Sequence, residues 1–170
     1  MQQYLIETNE VAGLSREMSR HIDSQRIETY IRESENIDIK SALGDALFLD
    51  VKANPEKYNV LLNGGEYEVN GEKKCFAGLK SSLAYYTCAR IIKNGDGNIT
   101  RFGLVNKESE YSSRPEFKEK LMAYNDAFSI ADRYLKDCVT YLNLNKSLFP
   151  LYKKHGEIKA NRITFRLIGE

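Results

Sequence analysis

A chain of 170 residues and 19.5 kDa, 42% hydrophobic and 29% charged with a net charge of +1, is long enough to bury one sizeable core and too apolar to stay disordered. The near-neutral balance gives no global basic footprint for nucleic acid. No apolar run approaches the ~20 residues of a membrane span, and the opening "MQQYLIETNE" lacks the basic and apolar regions of a signal peptide, so the expectation is a protein made and kept in a cytoplasm.

The first clear element starts at Asp23 or Ser24, either of which can cap a helix, with Glu28 in the first turn. Ile27, Tyr30, Ile31 and Ser34 share one face, and the pattern continues through Ile37 and Ile39 to Leu43, giving a helix over 23–43 with Gly44 as its break. "DALFLDVKAN" predicts a second helix over 45–54, stopped before Pro55. Pro55 suits the first turn of a short third helix over 56–63, ended by Gly64 and Gly65.

The period then changes. "EYEVNGEKKCF" alternates Tyr67 and Val69 against Glu66, Glu68 and Asn70, and Asn70 followed by Gly71 is a strong two-residue turn signal. The reading is a small β-hairpin over 66–76 that leans on the body or on a neighbouring subunit, because an isolated hairpin is marginal in water. A helix over 77–94 follows, with Leu79, Leu83, Tyr86 and Arg90 on one side and small residues (Ser81, Ser82, Ala84, Ala89) suited to close packing.

Residues 94–115, "NGDGNITRFGLVNKESEYSSRP", separate that helix from the next and exceed the two to eight residues usual between packed helices. Ile99, Phe102, Leu104, Val105 and Tyr111 are spaced through the stretch, which therefore reads as an anchored loop. Ser113 and Glu116 make a capping box for the longest helix, over 114–144. About thirty residues at 1.5 Å each is ~45 Å, longer than the breadth of a small domain, so part of this helix should overhang the body or pack in an assembly. After "FPLYKKHG" breaks the helix, Ile163, Phe165 and Leu167 alternate with Arg162, Thr164 and Arg166 in a strand-like tail. The fold class is thus mainly α: a helical bundle with a long C-terminal helix and a small β-hairpin as one domain over 1–152, and an extended tail over 153–170.

Recognisable chemistry is absent. His21 and His155 have no cysteine or carboxylate at ligand spacing, so neither a metal site nor a cofactor is expected. There is no nucleophile elbow, P-loop or dinucleotide fingerprint, and Asp96 alone does not make a calcium loop. Catalytic residues are therefore assigned to none, and the chain reads as a non-enzyme. Asp45 with Asp50 and Glu33 with Glu35 read as solvated helix faces. Cys75, Cys88 and Cys138, odd in number and far apart, read as free thiols packed as small hydrophobes. Five of the eleven tyrosines (Tyr85, Tyr86, Tyr124, Tyr134 and Tyr141) fall on predicted helices, where half-buried rings favour contact surfaces.

The stretches "SRHIDSQRIETYIRESENIDIKSALGDALFLDV", "YNVLLNGGEYE", "CFAGLKSSLAYYTCARIIKNGDGNITRFGLVNKESEYSSRP" and "KLMAYNDAFSIADRYLKDCVTYLN" lie in order between residues 19 and 150. Together they resemble the head–tail connector (adaptor, or neck-ring) proteins of phages and prophages of gut Bacteroidetes, including crAss-like phages. The likeness rests on length and order, not on one catalytic signature, and leaves out the first 18 residues and the tail. It implies a helical bundle repeated around a ring, usually of twelve copies, beneath the portal in the neck of the virion. Before assembly it would reside in the host cytoplasm. Its implied partners are further copies of itself, the portal protein, downstream neck or tail proteins, and DNA sliding through the lumen without sequence reading; no membrane is implied. Weak phosphate attraction from a near-neutral chain suits such a lumen.

In a ring, residues 94–115 would reach the adjacent subunit or line a surface, held in shape by Phe102, Leu104 and Tyr111. Arg162, Ile163, Thr164, Phe165, Arg166 and Leu167 would dock on the portal by strand addition, their basic flanks steering them to an acidic partner. The alternative for the tail is a third strand on the chain's own 66–76 hairpin. Rival functions are a tail-completion or terminator ring, more often sheet-rich, and a small non-viral interaction module.

Overall fold

The computed structural model describes residues 4–18, 22–95, 97–101, 103–106 and 117–152. Helices dominate, as the periodicity requires. Helix α1 (Thr8–Leu14) leads into α2 (Ser24–Ser34), which continues through a π turn (Glu35–Ile39) into α3 (Lys40–Leu43). Gly44 breaks the run at φ 78°, and α4 (Asp45–Ala53), a 3₁₀ turn (Pro55–Tyr58) and α5 (Asn59–Asn63) follow. Hairpin strands β1 (Gly65–Val69) and β2 (Glu72–Phe76) precede α6 (Leu79–Asn94). A second hairpin, β3 (Gly97–Thr100) and β4 (Gly103–Asn106), precedes α7 (Phe117–Leu144).

Helices α6 and α7 form the antiparallel spine. Tight approach follows from small side chains, since Ala84, Ala89, Ala127 and Ala131 are fully buried. Buried Ser82 settles its hydroxyl across the gap, donating to the Ala131 carbonyl at 2.9 Å. The Tyr86 ring meets Phe128 edge-on at 5.1 Å, Tyr85 meets Tyr134 at 5.6 Å, and Lys93 Nζ lies 5.1 Å over the Tyr124 ring. Helices α1, α2 and α5 pack on α6, and Ile6, Val11, Ile31, Ile39, Leu47, Leu61 and Leu83 fill the core between them. The tyrosines of α6 and α7 thus make ring contacts within the chain.

Asp23 caps α2 as its sequence position predicts, its carboxylate accepting from the Gln25 N–H at 3.0 Å. Two other readings of this region need correction. Ile37 does not continue the buried stripe and is 59% exposed, whereas Glu35 is fully buried and is no solvated face. The buried positions Ile31, Glu35, Ile39 and Leu43 recur every four residues, slower than the 3.6 of an α-helix. The π turn winds more loosely and absorbs that drift, which holds Glu35 inward and turns Ile37 out.

The first hairpin forms where alternation and the Asn70, Gly71 pair predict it. Val69 pairs with Glu72, and Asn70 and Gly71 take positive φ of 52° and 81°, as a tight two-residue turn demands. It leans on the body: Tyr67 and Phe76 pack on Tyr141 of α7 at 5.1 and 4.6 Å. The Gly71→Val variant should lose about 1–2 kcal/mol in urea unfolding, because a β-branched residue resists the left-handed region. Nothing lies within 4 Å of the Cβ built there, so crowding adds no further cost. An unchanged midpoint would contradict the turn.

Two elements carry no clear signal in the sequence. Helix α1 precedes the first expected helix and buries Val11. The anchored loop contains a hairpin, in which Ile99 pairs with Leu104 and Thr100 with Gly103. Cys88 and Cys138 are buried as expected, but Cys75 is exposed on β2. Burial pushes the Cys88 thiol up and takes Cys138 to about 12, which leaves both inert as thiolates.

Candidate interaction surfaces

The two hairpins leave the spine at opposite ends. Hairpin β1–β2 sits at the C-terminal end of α7, against Tyr141, while β3 follows directly on α6 where Lys93 meets Tyr124 near the start of α7. Arg26 of α2 donates to the Gly95 carbonyl and pins the chain just before it enters β3. The sixteen residues of α6 separate the hairpins by ~24 Å.

Helix α7 overhangs as its length predicts. The first of its residues to be buried is Ala127, ten positions in, and Phe117, Leu121 and Met122 are exposed, Phe117 by 81%. Phe117 and Leu121 are one turn apart and share a face. At the far end, Leu144, Leu148 and Leu151 are exposed, while Phe149 turns inward onto Tyr58 and Tyr141.

Of the residues that sequence reasoning assigned to partners, Leu104 lies on β4 opposite Ile99. Phe102, Tyr111, Arg162, Ile163, Thr164, Phe165, Arg166 and Leu167 lie outside the described residues. The pairing of Leu104 replaces an irregular loop with a two-stranded hairpin.

Inside the bundle, polar groups hold helices together. Arg90 of α6 donates to Ser34 Oγ at 3.1 Å, lies 2.8 Å from Asp38 Oδ2 and 3.7 Å from Glu33 Oε2. Burial raises the Asp38 pKa, an effect that Arg90 partly offsets. The Tyr86 hydroxyl donates to Asp132, and burial followed by that carboxylate raises its pKa. A second clamp closes the N-terminal segment. Glu35 accepts from the Leu5 N–H and from Lys52 Nζ, the latter at 2.7 Å. Lys80 donates to Glu10 at 2.8 Å. These two clamps border a surface cleft of about 290 Å³ beside Leu5, Asn59 and Asn63.

Both lysines of that cleft already neutralise a carboxylate, so it offers no net cation to an anionic ligand. Asp38, Arg90, Tyr86 and Asp132 line neither it nor the clefts at Asn36 and at Thr8. Their arrangement joins α2, the π turn, α6 and α7. Among the described residues no group of three or more His, Cys, Asp or Glu side chains could hold a metal ion, and no helix is long and apolar enough to cross a membrane.

No curated protein and no solved structure matches the chain. The model of a family of unknown function, DUF6712, matches residues 39–162, a span that runs from the π turn through both hairpins and α7, and the chain belongs to that family.

Proposed function

We propose that the chain is a structural virion protein, a connector subunit that forms a ring between phage portal and tail and extends the DNA channel. The observation that carries this reading is the placement of two hairpins at opposite ends of one rigid helical spine, with α7 overhanging at the second. A subunit that meets a different partner above and below needs two such faces, and a helix pair holds them at fixed separation. The exposed Phe117, Leu121 and Met122 offer the apolar side contact that a ring requires. A net charge of +1 suits a lumen through which DNA must slide. The reading assigns no catalytic step and no cofactor. The resemblance over residues 19–150 supports the assignment to a neck.

The test is to mix the purified chain with portal rings of the phage or prophage that encodes it. Analytical ultracentrifugation and electron microscopy should find a ring of subunits on one portal face. The double variant Phe117→Asp, Leu121→Asp should keep its unfolding free energy within about 0.5 kcal/mol of the parent, since both positions are exposed, yet fail to form the ring. A wild-type chain that stays free in the presence of portal overturns the proposal and leaves a small interaction module as the better reading.

A further inference from the structure

Hairpin β1–β2 is two-stranded among the described residues, so each of its strands keeps one edge without a strand beside it. The two-residue turn makes Val69 and Glu72 exchange ladder bonds, and the alternation continues with Tyr67 and Lys74, then Gly65 and Phe76. The main-chain groups of Glu66 and Glu68 therefore point to the open edge of β1, and those of Lys73 and Cys75 to the open edge of β2. All four side chains are exposed and share the outer face of the hairpin. None of Glu66, Glu68 and Lys73 has an ion-pair partner among the described residues.

We infer that copies of this chain join head to tail through these edges, with β1 of one copy beside β2 of the next. The edges carry opposite charge, Glu66 and Glu68 on β1 against Lys73 and Lys74 on β2. Antiparallel pairing of β1 with β1 sets glutamate against glutamate, and pairing of β2 with β2 sets lysine against lysine, both destabilising. Mixed pairing in the register of the hairpin itself sets Glu68 opposite Lys73 of the next copy, and Glu66 opposite its Cys75. These are the four residues whose main-chain groups point outward, so both pairs exchange ladder bonds. On the inner face the same register sets Lys74 of the next copy beside the half-buried Tyr67 and its Glu72 beside Val69. No like-charged pair arises on either face.

The edges are also regular enough to pair. The ladder runs from Gly65 with Phe76 to Val69 with Glu72 without a bulge, and neither strand contains proline, so two devices that usually blunt an edge are missing. Val60 of α5 is 46% exposed and lies 3.5 Å from the position of a Cβ on Gly65, which gives the base of the hairpin an apolar flank. The contact is heterologous: every copy offers both edges, so the contacts continue from copy to copy and form a ring where the rotation closes. The inference rests on the proposed ring and names one contact within it, at the end of the spine opposite the Phe117 overhang.

Cross-linking tests it with two full-length chains, one carrying Glu66→Cys with Cys75→Ser, the other the parent with its exposed Cys75. Ladder-bonded partners have Cα atoms ~5.5 Å apart, inside the range a disulfide spans. The Cys75 thiols of adjacent copies lie two strands apart, ~10 Å. After mild oxidation, free at high concentration and on portal rings, the mixture should give at least about tenfold more covalent dimer than either chain alone, because thiols held side by side exceed the effective concentration of collisions. Mass spectrometry should place the bond between position 66 and Cys75. Glu68→Lys in the first chain should cut that yield about threefold, and adding Lys73→Glu to the second should restore it. Tyr67 and Lys74 amides, bonded within the hairpin, should exchange at the parent rate in every variant, which shows the hairpin intact. Equal yield from the first chain alone overturns the inference in favour of β1 on β1, and from the parent alone in favour of β2 on β2. Restoration that fails also overturns it, as does a cross-link missing from a monomer whose Glu66 and Glu68 amides exchange slowly, because the chain would then cover its own edge. A ring on portal without the cross-link overturns this contact and leaves the connector reading standing. The cross-link in free chains without a ring on portal supports the contact and overturns the connector reading.

Discussion

Gly64→Ala should lose at least about 3–4 kcal/mol of stability in urea unfolding, a large part of the 5–15 kcal/mol available to a domain. Gly64 has φ 82° and ψ −179°, and Gly78 has φ 84° and ψ 163°, a region essentially closed to residues with a Cβ. The two glycines face each other where the chain enters β1 and leaves β2. A Cβ on Gly64 would stand 2.3 Å from the Phe76 carbonyl oxygen, and one on Gly78 would stand 2.3 Å from the Gly64 nitrogen. Both obstacles are backbone, so no rotamer change relieves them. Relief requires the hairpin to lift from Tyr141, which gives up the ring contacts of Tyr67 and Phe76 as well. Gly13→Ala is the control. It lies in α1 with nothing within 4 Å of a new Cβ, so it should gain up to about 1 kcal/mol. A Gly64→Ala variant within about 1 kcal/mol of the parent would mean that the glycine contact does not fix the hairpin.

The sequence is legible where one signal stands for one structure. Asn70 and Gly71 state a turn directly, and the long uninterrupted pattern from Phe117 onward states a helix and its overhang. Helix α1 escapes because seven residues carry too few apolar positions to show a period, and it holds through its Glu7 and Glu10 capping box and the single buried Val11. The second hairpin escapes for a different reason. Its ladder closes Thr100 on Gly103, and the sequence between them holds neither the glycine nor the asparagine that usually signals a two-residue turn. The β-branched Ile99, Thr100 and Val105, framed by Gly97 and Gly103, are the signal that was present.

Surfaces were less legible than elements, because exposure depends on which neighbours tertiary packing supplies. Ile37 matches the apolar face on paper and is turned out by a π turn that no local preference announces. Cys75 has the composition of a core residue, but strand alternation puts it opposite Glu66 on the outer face. The spatial fact on which the functional proposal rests, two hairpins ~24 Å apart on one spine, needs the antiparallel registry of α6 and α7. Contacts such as Ser82 with Ala131 reveal that registry, and no single helix pattern does.

Glu35→Ala should cost about 3–5 kcal/mol, the range expected when one member of a buried ion pair is removed. Glu35 looked like half of a solvated acidic pair, yet it is fully buried and serves two donors at once. One is the ammonium of Lys52 at 2.7 Å, the other the Leu5 N–H. Removing the carboxylate strands both, and each stranded donor is held by well-packed neighbours: Lys52 lies 5.5 Å over the Phe48 ring, and Ile6, next to Leu5, is buried. The double variant Glu35→Leu, Lys52→Met separates the contributions. It removes both charges and keeps the volume, so the ionic part of the loss should vanish and leave about 1–3 kcal/mol for the unpartnered Leu5 amide. Urea unfolding measures both variants, and hydrogen exchange at Leu5 and Ile6 should report local release in each. If Glu35→Ala falls within about 1 kcal/mol of the parent, the N-terminal segment is held by apolar packing of Leu5, Ile6 and Val11 alone. If instead the double variant is no better than the single, the amide of Leu5, not the ammonium of Lys52, is the donor that the buried carboxylate chiefly serves.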